Sequence, residues 1–208
     1  NALSEEIVKL EPSCMLHPTI IGNYEKNKQT AIQQEGLTVN ADFQDSVAVN
    51  YARQVIVTVN GLTFLNNTTL HQEVFGPFSM IVLCKDANEL KQVISHLEGQ
   101  LTGTILGEEE ELQKFPELID ALQSRVGRII FNGVPTGVEV CPAMLHGGPY
   151  PASTDSRFTA VGVHAVNRWV RPFSFQSWPN KLLPKELTNE NPLGIIRLVN
   201  GKNSKDKI

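Results

Sequence analysis

The sequence predicts an α/β protein whose middle is a β-α-β-α-β unit with a parallel sheet. Three observations predict it. Apolar, strand-like runs occur at Met80–Cys84, Thr102–Leu106 and Gly127–Phe131. An amphipathic helical pattern fills the gap between the first two, and a second helical pattern with an acidic start fills the next. Strands that alternate with helices in this way pair in parallel through right-handed crossovers.

Each element has its own justification. Pro18 opens a helix that runs through Tyr24 to about Gln33, with Gly36 as its stop. Val55–Val59 is a β-branched run of strand type, closed by a turn at Asn60-Gly61. After the Met80–Cys84 strand, Asp86 caps a helix and Glu89, three residues on, completes a capping-box pattern. Leu90, Val93, Ile94 and Leu97 then fall at i, i+3, i+4 and i+7, which gives that helix one apolar face. The next helix carries Glu108–Glu111 in its first turn, where the helix dipole favours negative charge. Its expected buried stripe is Leu112, Phe115, Leu118, Ile119 and Leu122, with Pro116 bending the helix or dividing it. From Cys141 to about Thr159 the chain is rich in Pro, Gly, Ser and Thr, and a loop of that length is either functional or a surface excursion. Val161–Trp169 reads as a short helix and Pro172–Trp178 as an edge strand, while Asn203–Ile208 reads as a disordered tail. An edge strand carrying Phe173, Phe175 and Trp178 needs a cover.

Composition excludes several function classes. The 208 residues suit one ordinary domain, or one domain plus an extension, and 41% apolar with 19% charged residues suits a packed core. A formal charge of −4 argues against a nucleic-acid groove, which needs clustered Lys and Arg. No apolar run approaches the roughly 20 residues of a bilayer span. Three cysteines, Cys14, Cys84 and Cys141, make no disulfide framework. Cys14 with His17 is rejected as a nucleophile and base, because nearness in sequence supplies no base geometry. Cys14/His17 with Cys141/His146 is too loosely spaced for zinc, so no metal is expected.

One pentapeptide carries chemistry. Glu73-Val74-Phe75-Gly76-Pro77 sets a carboxylate and a flat aromatic face on either side of Val74, ahead of a Gly-Pro turn. A carboxylate can accept two hydrogen bonds from the vicinal hydroxyls of a ribose, and an aromatic ring can hold a planar heterocycle in place. The bland alternative is a turn with an exposed Glu and a core Phe.

The pentapeptide resembles the Glu-(Val/Ile)-Phe-Gly-Pro signature of the aldehyde dehydrogenase superfamily. Gly127–Gly137 is similar to that family's last core strand and the substrate-side loop after it, and His146–Thr154 to its Gly-Gly-Tyr loop. The latter form, with Cys14–Pro18 and Asn167–Pro172, resembles the branch of α-ketoglutarate semialdehyde and long-chain fatty aldehyde dehydrogenases. The likeness runs from about Leu3 to about Gly201.

The resemblance implies the C-terminal part of the catalytic domain over residues 3–170, then an extension over 171–208 with an oligomerisation strand and a disordered tail. It implies that Glu73 binds the nicotinamide-ribose hydroxyls of NAD or NADP and that Phe75 fixes the position of the ring. Asn132, Pro135, Thr136, Gly137 and His146 are implied as walls of the aldehyde tunnel. A small aldehyde substrate (α-ketoglutarate semialdehyde), a homo-oligomer built through the C-terminal strand and a cytoplasmic location follow as expectations, with no nucleic acid or membrane partner. The family's Gly-Gln-x-Cys nucleophile segment does not occur in these residues. Nucleophile and general base are therefore expected upstream, Asn1-Ala2 reads as a cloning scar, and the chain alone is expected to be inactive. The alternative is a natural non-catalytic binding or oligomerisation module derived from the family.

Overall fold

A computed structural model of the chain describes residues 2–42 and 48–208, so that Asn1 of the pair read as a cloning scar lies outside the described residues. The chain forms two compact units, one ending at Arg168 and one spanning Trp169–Ile208.

In the first unit the elements are α1 (Ala2–Ile7), β1 (Ser13–Cys14), α2 (Pro18–Ile32), β2 (Thr38–Ala41), β3 (Tyr51–Ala52), β4 (Val55–Asn60), α3 (Gly61–Asn66), β5 (Phe78–Leu83), α4 (Ala87–His96), β6 (Gln100–Ile105), α5 (Glu109–Leu112), α6 (Pro116–Gln123) and β7 (Val126–Phe131). A short antiparallel pair joins β1 and β3. The core strand is β4, flanked by antiparallel β2 and parallel β5. Val55, Ile56, Val57 and Val59 are buried, as a β-branched strand covered on both faces should be. Val59 packs with Phe64, Leu70 and Val93, bringing α3 and α4 onto one face of the sheet.

Parallel pairing is present, but in two pieces. β5 pairs with β4 and β6 pairs with β7, and no described strand joins β5 to β6. The expected parallel strands are thus present, divided between two small sheets. With one edge unpaired, β5 is half exposed rather than buried, and Leu83 at its end is exposed.

Local chemistry explains most element ends. His17 caps α2, its Nδ1 accepting from the Thr19 N–H at 3.1 Å. Asn60 caps α3 through a bond from the Thr63 N–H at 2.8 Å, so Asn60-Gly61 starts a helix where a turn is expected. Asp86 caps α4 by accepting from the Glu89 N–H at 2.8 Å. The Glu89 carboxylate returns to the Lys85 N–H at 2.6 Å, one residue before the cap. Only part of the α4 stripe is covered: Val93 is buried and Leu90 exposed. Pro116 divides the second helix, since it cannot donate to the preceding turn and takes the first position of α6. The break leaves Phe115 outside both helices and exposed, contrary to its place in the expected stripe.

The second unit is held by side-chain to backbone bonds. Arg197 donates to the carbonyls of Thr188 and Asp206, and Asn191 to those of Ile195 and Lys205. These bonds anchor a hairpin of β8 (Arg197–Val199) and β9 (Lys202–Ser204), so the expected disordered tail begins inside an ordered strand. Pro172–Trp178 makes no strand pairing, because a ladder needs a second strand and none of the described residues supplies one. Its rings gather instead, Phe173 on Phe175 at 5.1 Å and Phe175 on Trp178 at 5.8 Å between centroids, and all three remain exposed.

Candidate cofactor site

Glu73–Pro77 runs as an extended connection from a 3₁₀ turn at Thr68–His71 into β5. Its end is fastened at three points. The Val55 N–H donates to the Pro77 carbonyl at 2.8 Å, and the Phe78 N–H to the Gly76 carbonyl at 2.7 Å. Gly76 lies flat on the Tyr24 ring, where a Cβ would sit 2.3 Å from a ring carbon. A side chain at 76 has no room, which is why glycine is required there.

On this platform Phe75 is 60% exposed, and the Glu73 carboxylate has no hydrogen-bond or ion-pair partner among the described residues. Both side chains line an open cleft of about 710 Å³ whose opposite wall is Leu97–Thr102 with Pro151 and Ala152. A second, more apolar cleft lies against Val74–Phe78, walled by Cys14, Leu16 and Ile20.

The substrate-side candidates are gathered elsewhere. Asn132 follows β7 with a left-handed backbone (φ 47°), and its amide exchanges two hydrogen bonds with Gly107. Arg128 reaches from β7 to the next loop, donating to the carbonyls of Gly137 at 2.9 Å and Pro135 at 3.4 Å. Thr136 is carried between them. The His146 N–H donates to Thr159 Oγ1 at 2.8 Å, and its Nδ1 is buried without a partner among the described residues.

None of Asn132, Pro135, Thr136, Gly137 or His146 lines the cleft at Glu73 and Phe75. Asn132 follows the carboxyl end of β7, whereas the cleft opens at the amino end of β6, the parallel neighbour. Six strand residues separate those ends by roughly 20 Å at about 3.3 Å per residue. The Gly-rich loop spans part of the difference. Gly147 crosses Gly127, where a Cβ would sit 1.8 Å from the Gly147 carbonyl oxygen, and Gly148 crosses Gln100. The Gly99 N–H then donates to the Tyr150 carbonyl at 3.2 Å, delivering Pro151 and Ala152 to the cleft. The long Cys141–Thr159 loop is thus pinned to strand starts along its Gly147–Tyr150 stretch.

The sequence does not mark the ties that Tyr24 and Arg128 make. Tyr24 appeared only as a point along a helix, and no local signal separates it from a core residue. Arg128 has a weak signal, a charge inside an otherwise apolar strand, but its partners are carbonyls that no sequence pattern marks.

No protein-family model matches the chain. The α-ketoglutaric semialdehyde dehydrogenase of Acinetobacter baylyi is 39% identical over 191 residues, 91% of this chain and 36% of the relative. The α-ketoglutaric semialdehyde dehydrogenase 2 of Azospirillum brasilense is 44% identical over 144 residues, 69% of this chain and 27% of the relative.

The chain is similar to a stretch of aldehyde dehydrogenase.

It spans about a third of the length of the curated relatives it matches. Solved aldehyde dehydrogenases share the fold at lower identity. A betaine aldehyde dehydrogenase double mutant from Staphylococcus aureus, solved in complex with NAD+, superposes with a TM-score of 0.63 at 15% identity, covering 81% of this chain and 34% of that one. Succinic semialdehyde dehydrogenase from Streptococcus pyogenes, in complex with NADP+, gives 0.51 at 18% identity, covering 65% and 28%. Like such a stretch, the chain is a mixed α/β segment with small parallel sheets.

Proposed function

We propose that this chain supplies the nicotinamide-ribose side and the aldehyde-tunnel side of an NAD(P)+-dependent aldehyde dehydrogenase that oxidises α-ketoglutarate semialdehyde to the carboxylate. The observation that carries the reading is the unpartnered Glu73 carboxylate beside the exposed Phe75 ring, both on a platform clamped by Tyr24. That pair fits the cofactor. A carboxylate can accept from both hydroxyls of a ribose diol, and none of the described residues competes for it. When bound, the nicotinamide supplies the hydride acceptor. Glu73 orients the ribose, Phe75 limits where the ring can lie, and the Gly76-Pro77 turn keeps both from drifting. The Asn132–Gly137 loop, drawn in by Arg128, and His146 form the wall on the aldehyde side. The names of the two curated relatives support the substrate, and the neighbours solved with NAD+ or NADP+ support the cofactor class.

The same reading places the protein in the cytoplasm as a homo-oligomer, with the exposed Phe173, Phe175 and Trp178 rings against a second copy. No described helix is long and apolar enough to cross a membrane.

The test is Glu73→Gln in the full-length protein. Losing a charge-assisted acceptor of about 1.5–3 kcal/mol should slow single-turnover hydride transfer roughly 10- to 100-fold. An unchanged rate removes the role. The 208-residue chain alone should give no reduced cofactor with the semialdehyde and NAD+ or NADP+; a steady signal at the reduced-nicotinamide band would overturn the expectation that nucleophile and base lie upstream.

A further inference from the structure

Helix α2 is mostly solvated, and Tyr24 and Ala31 are its only buried residues. Tyr24 is wholly buried, although the helix has no large apolar face to bury. The side chain crosses from the helix to the cofactor platform. Its ring meets Gly76, where any Cβ would overlap it. Its hydroxyl donates to the Arg53 carbonyl at 3.0 Å, with the Pro77 carbonyl at 3.4 Å as a second acceptor. Pro77 also accepts from the Val55 N–H, at the start of the most buried strand. One phenol therefore ties a solvated helix, the lead-in to β4 and the Gly76-Pro77 turn into a single joint. Glu73 and Phe75 emerge from that joint within three residues of Gly76 and have no other tie: the carboxylate is unpartnered among the described residues and the ring is mostly exposed.

We infer that Tyr24 is a positioning residue for Glu73 and Phe75, setting where the carboxylate and the aromatic ring meet a nucleotide; this rests on the cofactor reading of those two residues. A plain core aromatic would fill the same space. The hydroxyl does what filling cannot, because it bonds the Arg53 carbonyl and, at longer range, the Pro77 carbonyl, tying the turn to the lead-in of β4. Phe at this position would pack as well but remove the hydroxyl's tie, leaving the turn to the ring contact and its two backbone bonds.

Tyr24→Phe in the full-length protein tests this, beside Glu73→Gln and the unaltered enzyme. Loss of one buried hydroxyl bond corresponds to about a three- to tenfold effect. Single-turnover hydride transfer should fall by that factor, while affinity for ADP, which lacks both the nicotinamide and its ribose, stays within about twofold. Amide hydrogen exchange at Val74, Phe75 and Gly76 should rise, with Val57 and Val59 unchanged. Two results overturn the inference: exchange at 74–76 that does not change, or a lowered Tm with hydride transfer intact while Glu73→Gln slows it, which marks a purely structural tyrosine. If Glu73→Gln leaves the rate unchanged, the cofactor reading fails instead. The exchange data then decide alone, a rise supporting the positioning role and no change overturning it.

Discussion

The side-chain amide of Asn132 and the backbone of Gly107 exchange two hydrogen bonds, Nδ2 donating to the Gly107 carbonyl at 2.8 Å and the Gly107 N–H donating to Oδ1 at 2.9 Å. The Asn132 N–H adds a third tie, to the Ile105 carbonyl at 2.9 Å. The clasp closes the carboxyl ends of β6 and β7 and launches the loop that carries Pro135, Thr136 and Gly137. Asn132→Asp keeps the acceptor but turns a carboxylate oxygen toward the Gly107 carbonyl, and should cost about 1–3 kcal/mol. Asn132→Ala should cost a similar amount, since it loses both bonds and also strains the left-handed backbone at 132, worth about 1–2 kcal/mol. Asn132→Gly should recover the backbone part alone. Urea denaturation of the three variants checks the order.

The crossing of Gly127 and Gly147 predicts a sharp size limit. A methyl at 127 meets a backbone oxygen, which cannot rotate away as a side chain would. Gly127→Ala should therefore destabilise by about 1–3 kcal/mol or displace the Gly-rich loop. Gly137→Ala is the control, with nothing within 4 Å of its new methyl, and should be nearly neutral. Equal denaturation midpoints for the two would contradict the crossing.

Tyr24 predicts an alkaline limit to stability. Burial holds its phenol well above the ordinary range, and the charges of Glu25 and Asp42 add to this. An unfolded tyrosine ionises near pH 10, so the stabilisation is complete below about pH 10 and is lost as pH rises further. Between pH 9 and 12 the Tm of the unaltered protein should fall more steeply than that of Tyr24→Phe. Parallel profiles would show that Tyr24 does not titrate differently in the two states.

Thiol reactivity should separate the cysteines. Cys14 is exposed, whereas Cys84 packs against the Val59–Val93 cluster. Burial raises the Cys84 thiol above its usual range, and the Glu89 and Asp86 carboxylates raise it further. The thiolate is the reactive form. Iodoacetamide at pH 8 followed by peptide mass mapping should find Cys14 modified first and Cys84 last.

Much of the fold was legible because it rests on local rules. The Asp86 cap, the β-branched Val55–Val59 run and the division at Pro116 each follow from residues a few positions apart, and each is present. Non-local pairing was not legible. That β5 joins β4 while β6 joins β7 depends on which strand edges meet, and periodicity carries no information about edges. The order seen in Asn203 and Ser204 was misread for a related reason, since a polar tail looks solvated until Arg197 and Asn191 find its carbonyls.

For the site, the sequence by itself determined the chemistry on offer: a carboxylate, an aromatic face and a Gly-Pro turn in five consecutive residues. Such a cluster is local, so its composition survives any packing. Only the tertiary structure decided what holds it, because Tyr24 is 52 positions before Gly76 and their contact exists only once helix and turn are packed. It also decided that the Asn132 loop and the Glu73 cleft lie toward opposite ends of the β6–β7 pair, with the Gly147–Ala152 loop reaching between them. Distances of that kind are set by the direction of parallel strands, which emerges only when the strands pair.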